Sequence, residues 1–241
     1  MPKDEIYRHP VETIEDFCFD QTVSAAFDDM VERSVPGYRT LIANIGTIAA
    51  HFLTAGGCAY DLGCSHGAAA LAIFQALKEN KRKIIAVDNA AAMIDACRNR
   101  IIAAEAEQWI ETKTAMLQDI RIEDAAVIVL NLTLQFIPIA ERDTIIKQLY
   151  QGLNPGGACI LTEKIELAEP ADDQLFRELH ENFKRANAYS DLEISQKRKA
   201  LENVLLRESL AAHEDRLLKT GFRQVQVWFQ CLIFISILAI K

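Results

Sequence analysis

The feature that most limits what this chain can fold into is a rhythm. From residue 58 onward come four short apolar runs, CAYDL (58–62), KIIAVD (83–88), AVIVLNL (126–132) and ACILTEK (158–164). Longer stretches of helical character separate them, among them AAAMIDACRNRIIAAEA and PIAERDTIIKQLYQGL. Runs of this length that stay apolar throughout read as strands buried on both faces, and their alternation with helices implies right-handed crossovers within a parallel sheet. A further strand is expected from Thr112 to Leu117, where the pattern is fainter. Gly152 and the LNPGG turn (153–157) stop the fourth helix.

The flanks complete the outline. RTLIANIGTIAAHF (39–52) sets Leu41, Ile45, Ile48 and Phe52 on one helical face, fed by the loop VPGY (35–38), so residues 1–55 read as a helical cover. Residues 170–207 are too many for a simple crossover and read as two inserted helices. The first carries Leu175, Phe176, Leu179 and Phe183 on a face suited to core or dimer packing. The second is opened by the capping-box pattern Ser190-Asp-Leu-Glu193. A last helix, SLAAHEDRLLKTG, leads to FRQVQVWFQ and CLIFISILAIK, two strands so close that they pair antiparallel. The expected fold is therefore α/β: a Rossmann-like class I methyltransferase fold, with a mostly parallel seven-stranded sheet, an antiparallel C-terminal strand and a helical insertion. No linker or composition shift divides residues 1–241, which read as one domain.

Composition narrows the function classes. With 26 basic and 34 acidic residues the net charge is -8, and a pI near 5.2 offers no footprint for gripping a phosphate backbone. The six cysteines include no CxxC pair and no Cys/His cluster at metal spacing, so they read as reduced cytoplasmic thiols and no metal is expected. The start, MPKDEIYRHP, lacks the signature of a signal peptide. CLIFISILAI is about half the length needed to cross a bilayer. No membrane association and no direct nucleic-acid contact are expected.

The most informative turn is YDLGCSHGAAALA (60–72). In an open parallel sheet, ligands sit beyond the carboxyl ends of the strands, and the first strand-to-helix turn is the closest backbone approach. Gly63 and Gly67 permit that approach, which places Asp61 and the Gly63–Cys64–Ser65 backbone against an adenosine-bearing ligand. The GxGxxG fingerprint is incomplete, with Ser65 where the middle glycine is usual. Asp88-Asn89 closes the second strand 25 residues after Gly63, where a short carboxylate accepts from both ribose hydroxyls. Asp119-Ile120 would flank the adenine, and Asn131 ends the fourth strand over the reaction centre. His66 is not expected to be a general base, since nothing in the sequence pairs it with an orienting carboxylate.

Together SVPGY, YDLGCSHGAA, VDNAAAM, LNLTLQFIP, GLNPGG, FKRANAYS, LEISQKR and LENVLL resemble the bacterial carboxy-S-adenosyl-L-methionine synthases, from about residue 4 to the last strand. The resemblance implies an enzyme, a transferase, that joins S-adenosyl-L-methionine (SAM) and prephenate to give carboxy-SAM and phenylpyruvate. It implies that the product feeds carboxymethylation of tRNA wobble uridine, and that the protein is a homodimer. It implies contacts to SAM or carboxy-SAM from Tyr38, Gly63, Cys64, Ser65, Asp88, Asn89, Asp119, Ile120 and Asn131, and it gives Arg198 the binding of the new carboxylate. QDIRIEDAAVIVLN is shorter than the family leads one to expect between Asp119 and the fourth strand.

The chemistry is self-consistent. A sulfonium acidifies its own methyl group, and prephenate gains aromaticity by losing CO2 and hydroxide. What remains for the protein is a closed pocket, orientation and a cation. Arg198 suits that last role, because its planar fork binds a carboxylate in two places. Two rival readings share most of these residues, an ordinary SAM-dependent small-molecule methyltransferase and a noncatalytic nucleotide-binding protein. SQKR with Arg198 argues against the first, and intact Gly63, Asp88 and Asn131 against the second.

Overall fold

The computed structural model describes residues 2–241. Two helices, α1 (Gln21–Ser34) and α2 (Tyr38–Phe52), precede an alternating series: β1 (Cys58–Leu62), α3 (Ala68–Ala76), β2 (Ile84–Asp88), α4 (Ala91–Ala103), β3 (Ile110–Thr114), β4 (Ala125–Asn131), α5 (Ile139–Gly152) and β5 (Leu153–Lys164). The inserted helices are α6 (Pro170–Ala186) and α7 (Asp191–Leu201). The chain then runs through α8 (Leu210–Thr220), β6 (Gln224–Cys231) and β7 (Phe234–Ile240).

The seven strands lie in the order β3-β2-β1-β4-β5-β7-β6. The first five are parallel to one another. β7 runs antiparallel to both of its neighbours, so it alone is reversed. This is the expected architecture, and the alternation of side chains explains its three layers. Ala59, Val127, Val129, Ala158 and Ile160 point to the face covered by α2, α3 and α4, where Leu41, Ile45, Ile73, Ile94 and Ile101 are buried. Tyr60, Leu62, Ile128, Leu130, Cys159 and Leu161 point to the face covered by α5 and α8, against Ile145, Ile146, Leu149 and Leu217. Side chains that alternate between two covered faces leave each strand apolar throughout.

Two local expectations are corrected. The third strand begins at Ile110 and ends at Thr114, not from Thr112 to Leu117. It is an edge strand, and four of the five residues of IETKT are polar, while the more apolar Ala115, Met116 and Leu117 belong to the loop that follows. LNPGG is not a free turn but the start of β5, with Leu153 paired to Ala125 and a register irregularity before Ala158. On α6, the face expected to serve core or dimer packing leaves Leu175 and Leu179 50% and 39% exposed in the single chain, so it is not core. The inward stripe is Asp173, Phe176, His180 and Lys184, at helical spacing. The Ser190–Glu193 capping box on α7 is present as expected.

Candidate active site

β1, β2, β4 and β5 end along one edge of the sheet, and a cavity of about 280 Å³ lies over them. α1, α2, α6 and α7 contribute its walls, with Phe19, Phe27, Phe136 and Phe234 among the lining residues.

At the end of β1, Gly63 has φ 75°, a left-handed conformation that disfavours a Cβ. A Cβ there would stand 2.9 Å from Thr133 Cβ and closer still to its Cγ2 and Oγ1. Thr133 is fixed in turn, since its Oγ1 donates to the Leu62 carbonyl at 2.8 Å. Ser65, where glycine is usual, is itself left-handed at φ 46°. Its N–H donates to Asp88 Oδ2 at 2.9 Å, and Ala90 N–H donates to Oδ1 at 2.9 Å. Asp88 thus ties the first turn to the second, and each carboxylate oxygen keeps a lone pair for a hydroxyl. Burial pushes its pKa up, opposed by those two N–H donors. Asp61 accepts from Ala70 N–H in the first turn of α3 at 2.9 Å. Burial, with Asp88 adding to it, pushes the Asp61 carboxyl up to about 7.

Asn131 supplies the best test of whether the cavity suits a nucleoside with an amino-acid tail. Its side chain lines the cavity, yet its Oδ1 is buried with no hydrogen-bond partner among the described residues. A buried acceptor left unpaired is costly, so this oxygen calls for a donor from the ligand. Ser34 Oγ, also at the wall, is a second unpartnered group. The ammonium of an amino-acid tail and the hydroxyls of a ribose are donors of the kind that Asn131 and Asp88 lack.

Of the residues singled out in the sequence, Tyr38, Gly63, Cys64, Ser65, Asp88, Asn89 and Asn131 are brought together on this cavity. Asp119 and Ile120 are not. They rim a separate depression, and the wall nearby is Met116, Leu117 and Gln118. Arg198 also stands outside the cavity. Its side chain is 67% exposed and pairs with Glu181 at 2.7 Å. His66 does have a carboxylate beside it, contrary to expectation: its Nδ1 lies 3.4 Å from Asp28 and its Nε2 3.0 Å from Ser24 Oγ. With both nitrogens engaged and the ring off the cavity wall, His66 fastens α1 to the Gly63 turn. The hydrogen bond to His66 holds the Asp28 carboxyl below its ordinary range, with Arg100 adding to it and partial burial opposing.

A family model described as a methyltransferase domain matches residues 59–157. A carboxy-S-adenosyl-L-methionine synthase of Actinobacillus pleuropneumoniae serotype 7 is 47% identical over 241 residues, 100% of both chains. One of Geobacter metallireducens is 51% identical over 239 residues, 99% of this chain and 98% of that relative. The chain belongs to the carboxy-S-adenosyl-L-methionine synthase family. Its likeness to solved structures concerns the fold. An O-methyltransferase family protein from Burkholderia thailandensis superposes with TM-score 0.67 at 16% identity, over 95% of this chain and 65% of that one. The magnesium protoporphyrin IX methyltransferase of Synechocystis, solved with bound SAH (S-adenosylhomocysteine), gives 0.63 at 12% identity, over 88% and 87%.

The cavity also gathers one group of residues that nothing in the sequence singled out as a site. Lys164, Lys184, Lys197 and His180 all line the cavity. Lys164 was visible in principle, since it ends β5 as Asn131 ends β4. His180 and Lys184 lie four residues apart on the inward stripe of α6, a spacing that marks one helix face.

Asp88→Ala is expected to weaken SAM and carboxy-SAM equally, by about 1.5 to 3 kcal/mol, because ribose contacts do not change in the reaction. Calorimetric titration of both ligands checks it. A mutant that distinguished the two strongly would show that Asp88 is not a ribose ligand.

Proposed function

We propose that the protein is a carboxy-SAM synthase, converting SAM and prephenate into carboxy-SAM and phenylpyruvate. The observation that carries this reading is full-length identity of 47 to 51% to proteins of that name, on a chain whose cavity gathers Gly63, Asp88 and Asn131. When bound, the sulfonium supplies an acidified methyl group. Prephenate supplies CO2 and hydroxide as its ring becomes aromatic; the methyl carbon gains the CO2, and its proton leaves with the hydroxide as water.

The chain's own residues position and enclose. Asp88 accepts from the ribose hydroxyls, Asn131 Oδ1 from the ammonium, and the backbone from Gly63 to Ser65 allows close approach. Tyr38 and the phenylalanines of the wall exclude water, which would otherwise compete for CO2. Asp119 and Ile120 belong to this reading as adenine neighbours, with Met116 to Gln118 nearer the cavity. Among the described residues, no group of three or more His, Cys, Asp or Glu is placed to hold a metal ion.

Arg198 binds the new carboxylate in this proposal. Because it stands outside the cavity of its own chain, the reading assigns it to the cavity of a second copy, in a homodimer. The exposed Leu175 and Leu179 on α6 support such an assembly. The product serves as the carboxymethyl donor for tRNA wobble uridine, in the cytoplasm. Among the described residues no helix is long and apolar enough to cross a membrane.

The test is the mass of the small molecule released on denaturing the purified protein, with an assay of SAM and prephenate. SAM heavier by one CO2, formed only when prephenate is present, is the expected result. Methyl transfer to an acceptor, with S-adenosylhomocysteine as the released ligand, would overturn it in favour of an ordinary methyltransferase.

A further inference from the structure

The ends of the strands divide the cavity by charge. Asp88 on β2 and Asp61 after it on β1 stand on one side of Asn131, and Lys164 on β5 stands on the other. At a strand spacing of about 4.8 Å, Lys164 is roughly 14 Å across the sheet from Asp88. Lys184 reaches the cavity from α6 and Lys197 from α7.

These amines differ in whether they have a partner. Lys197 Nζ lies 3.3 Å from the buried Asp4. Among the described residues, neither Lys164 Nζ nor Lys184 Nζ has a hydrogen-bond or ion-pair partner, and the nearby carboxylates are already taken. Asp173 is shared by Arg177 at 2.9 Å and Arg207 at 2.9 Å. Glu181 pairs with Arg198 and, at 3.5 Å, with Arg185. Asp4 also accepts from Tyr189 Oη at 2.5 Å. Glu163 is buried, and burial pushes its carboxyl up to about 8. Burial and neighbouring cations pull Lys164 down to about 8. Burial and the charges of Lys164 and Lys197 pull Lys184 down to about 7. His180 adds no opposing charge, because burial keeps it neutral and its Nε2 meets the Ser34 carbonyl at 2.7 Å. Asp173 and Glu181 offset their charge only in part, and two partly buried amines without a direct partner are unfavourable in the empty protein. An anionic ligand removes that cost, and Ser34 Oγ, without a partner at the same wall, is available to donate to it.

We propose that Lys164 and Lys184 form a subsite for the carboxylates of a dicarboxylic second substrate, placed across Asn131 from the nucleoside. This rests on the reading of prephenate as the carboxyl donor, and it names the residues that hold it. Phe234 and Phe136 give the ring an apolar wall. The tail of SAM brings one carboxylate beside its own ammonium, and so does not account for two amines that lack a direct partner.

The experiment uses the full chain loaded with S-adenosylhomocysteine, which has no sulfonium methyl and cannot turn over. Prephenate is titrated calorimetrically into wild type, Lys164→Met, Lys184→Met and the corresponding arginine variants. Each methionine variant should bind prephenate 10- to 100-fold more weakly, the arginine variants should recover most of that loss, and S-adenosylhomocysteine affinity should change less than twofold. The melting temperature of the ligand-free methionine variants should not fall, since a repulsive charge has gone and the apolar stem remains. The lysine subsite is overturned if prephenate affinity stays within twofold in both methionine variants. It is overturned equally if S-adenosylhomocysteine affinity falls by the same factor, which would make the lysines ligands of the amino-acid tail. If a methionine variant fails to fold, Lys184→Gln and Lys164→Gln provide the same comparison. Should wild type not bind prephenate at all, the reading of the reaction fails separately. Malonate and succinate, titrated against acetate, then decide the subsite: lysine-dependent preference for the dicarboxylates keeps it, and its absence ends it.

Discussion

Gly63→Ala is expected to lower stability by about 2 to 4 kcal/mol and to remove measurable SAM binding. Two costs add. Alanine in a left-handed conformation is disfavoured by about 1 kcal/mol, and the new methyl group meets the fixed side chain of Thr133, an overpacking cost of about 1 to 3 kcal/mol. Relief by moving Thr133 would break its bond to the Leu62 carbonyl and shift the turn that the ligand must approach. A control separates the two costs. Gly156 has φ 77°, and a Cβ there meets nothing within 4 Å, so Gly156→Ala carries only the backbone cost of about 1 kcal/mol. Urea denaturation of both variants measures the difference. Equal losses would mean that there is no close approach at Gly63.

The second large effect is expected at Arg198, and it is one of selectivity. Arg198→Met should leave stability within about 0.5 kcal/mol of wild type, because an exposed ion pair contributes little, and SAM affinity should persist. On the proposed placing of Arg198 in the cavity of a second copy, carboxy-SAM affinity should fall by about 2 to 5 kcal/mol, since the new carboxylate would lose its cation there. Arg198→Lys should restore only part, because one ammonium cannot reproduce two parallel hydrogen bonds. Calorimetry on the three proteins with both ligands decides it. An unchanged preference for carboxy-SAM over SAM would leave Arg198 as the solvated partner of Glu181 and nothing more.

What the sequence disclosed about this cavity follows from where each residue sits. Gly63, Asp88 and Asn131 terminate apolar runs, and the end of a strand in a parallel sheet has a fixed relation to the ligand crevice. Their placement was therefore legible one strand at a time. β3 was located three residues late at its C-terminal end, because an edge strand keeps one side wet and loses the apolar signature that marks β1, β2 and β4. The inward face of α6 was not legible for a related reason. Leucines at 175 and 179 marked a face suited to core or dimer packing, whereas the face turned inward carries Asp173, Phe176, His180 and Lys184. His180 and Lys184 reach the cavity wall and Asp173 meets Arg207, surroundings formed by elements distant in sequence. His66 is no general base, as expected, but its partners were not legible, because Asp28 and Ser24 come from a helix about 40 residues away, a proximity that no local pattern encodes.

The reversed strand has a bearing on how the molecule comes into being. β7 lies between β5 and β6 and pairs with β5 along seven residues, from Ala158 with Ile240 to Lys164 with Phe234. During synthesis from the N-terminus, β1 to β5 emerge with every residue needed for their mutual pairing, while β5 keeps an open, apolar edge. That edge cannot be closed until Phe234–Ile240 has been made, roughly 75 residues later. The insertion carrying α6 and α7 is translated within this interval. The basic end of the cavity therefore takes shape beside an unfinished sheet, and the nascent chain passes through a stage in which its most aggregation-prone edge is bare.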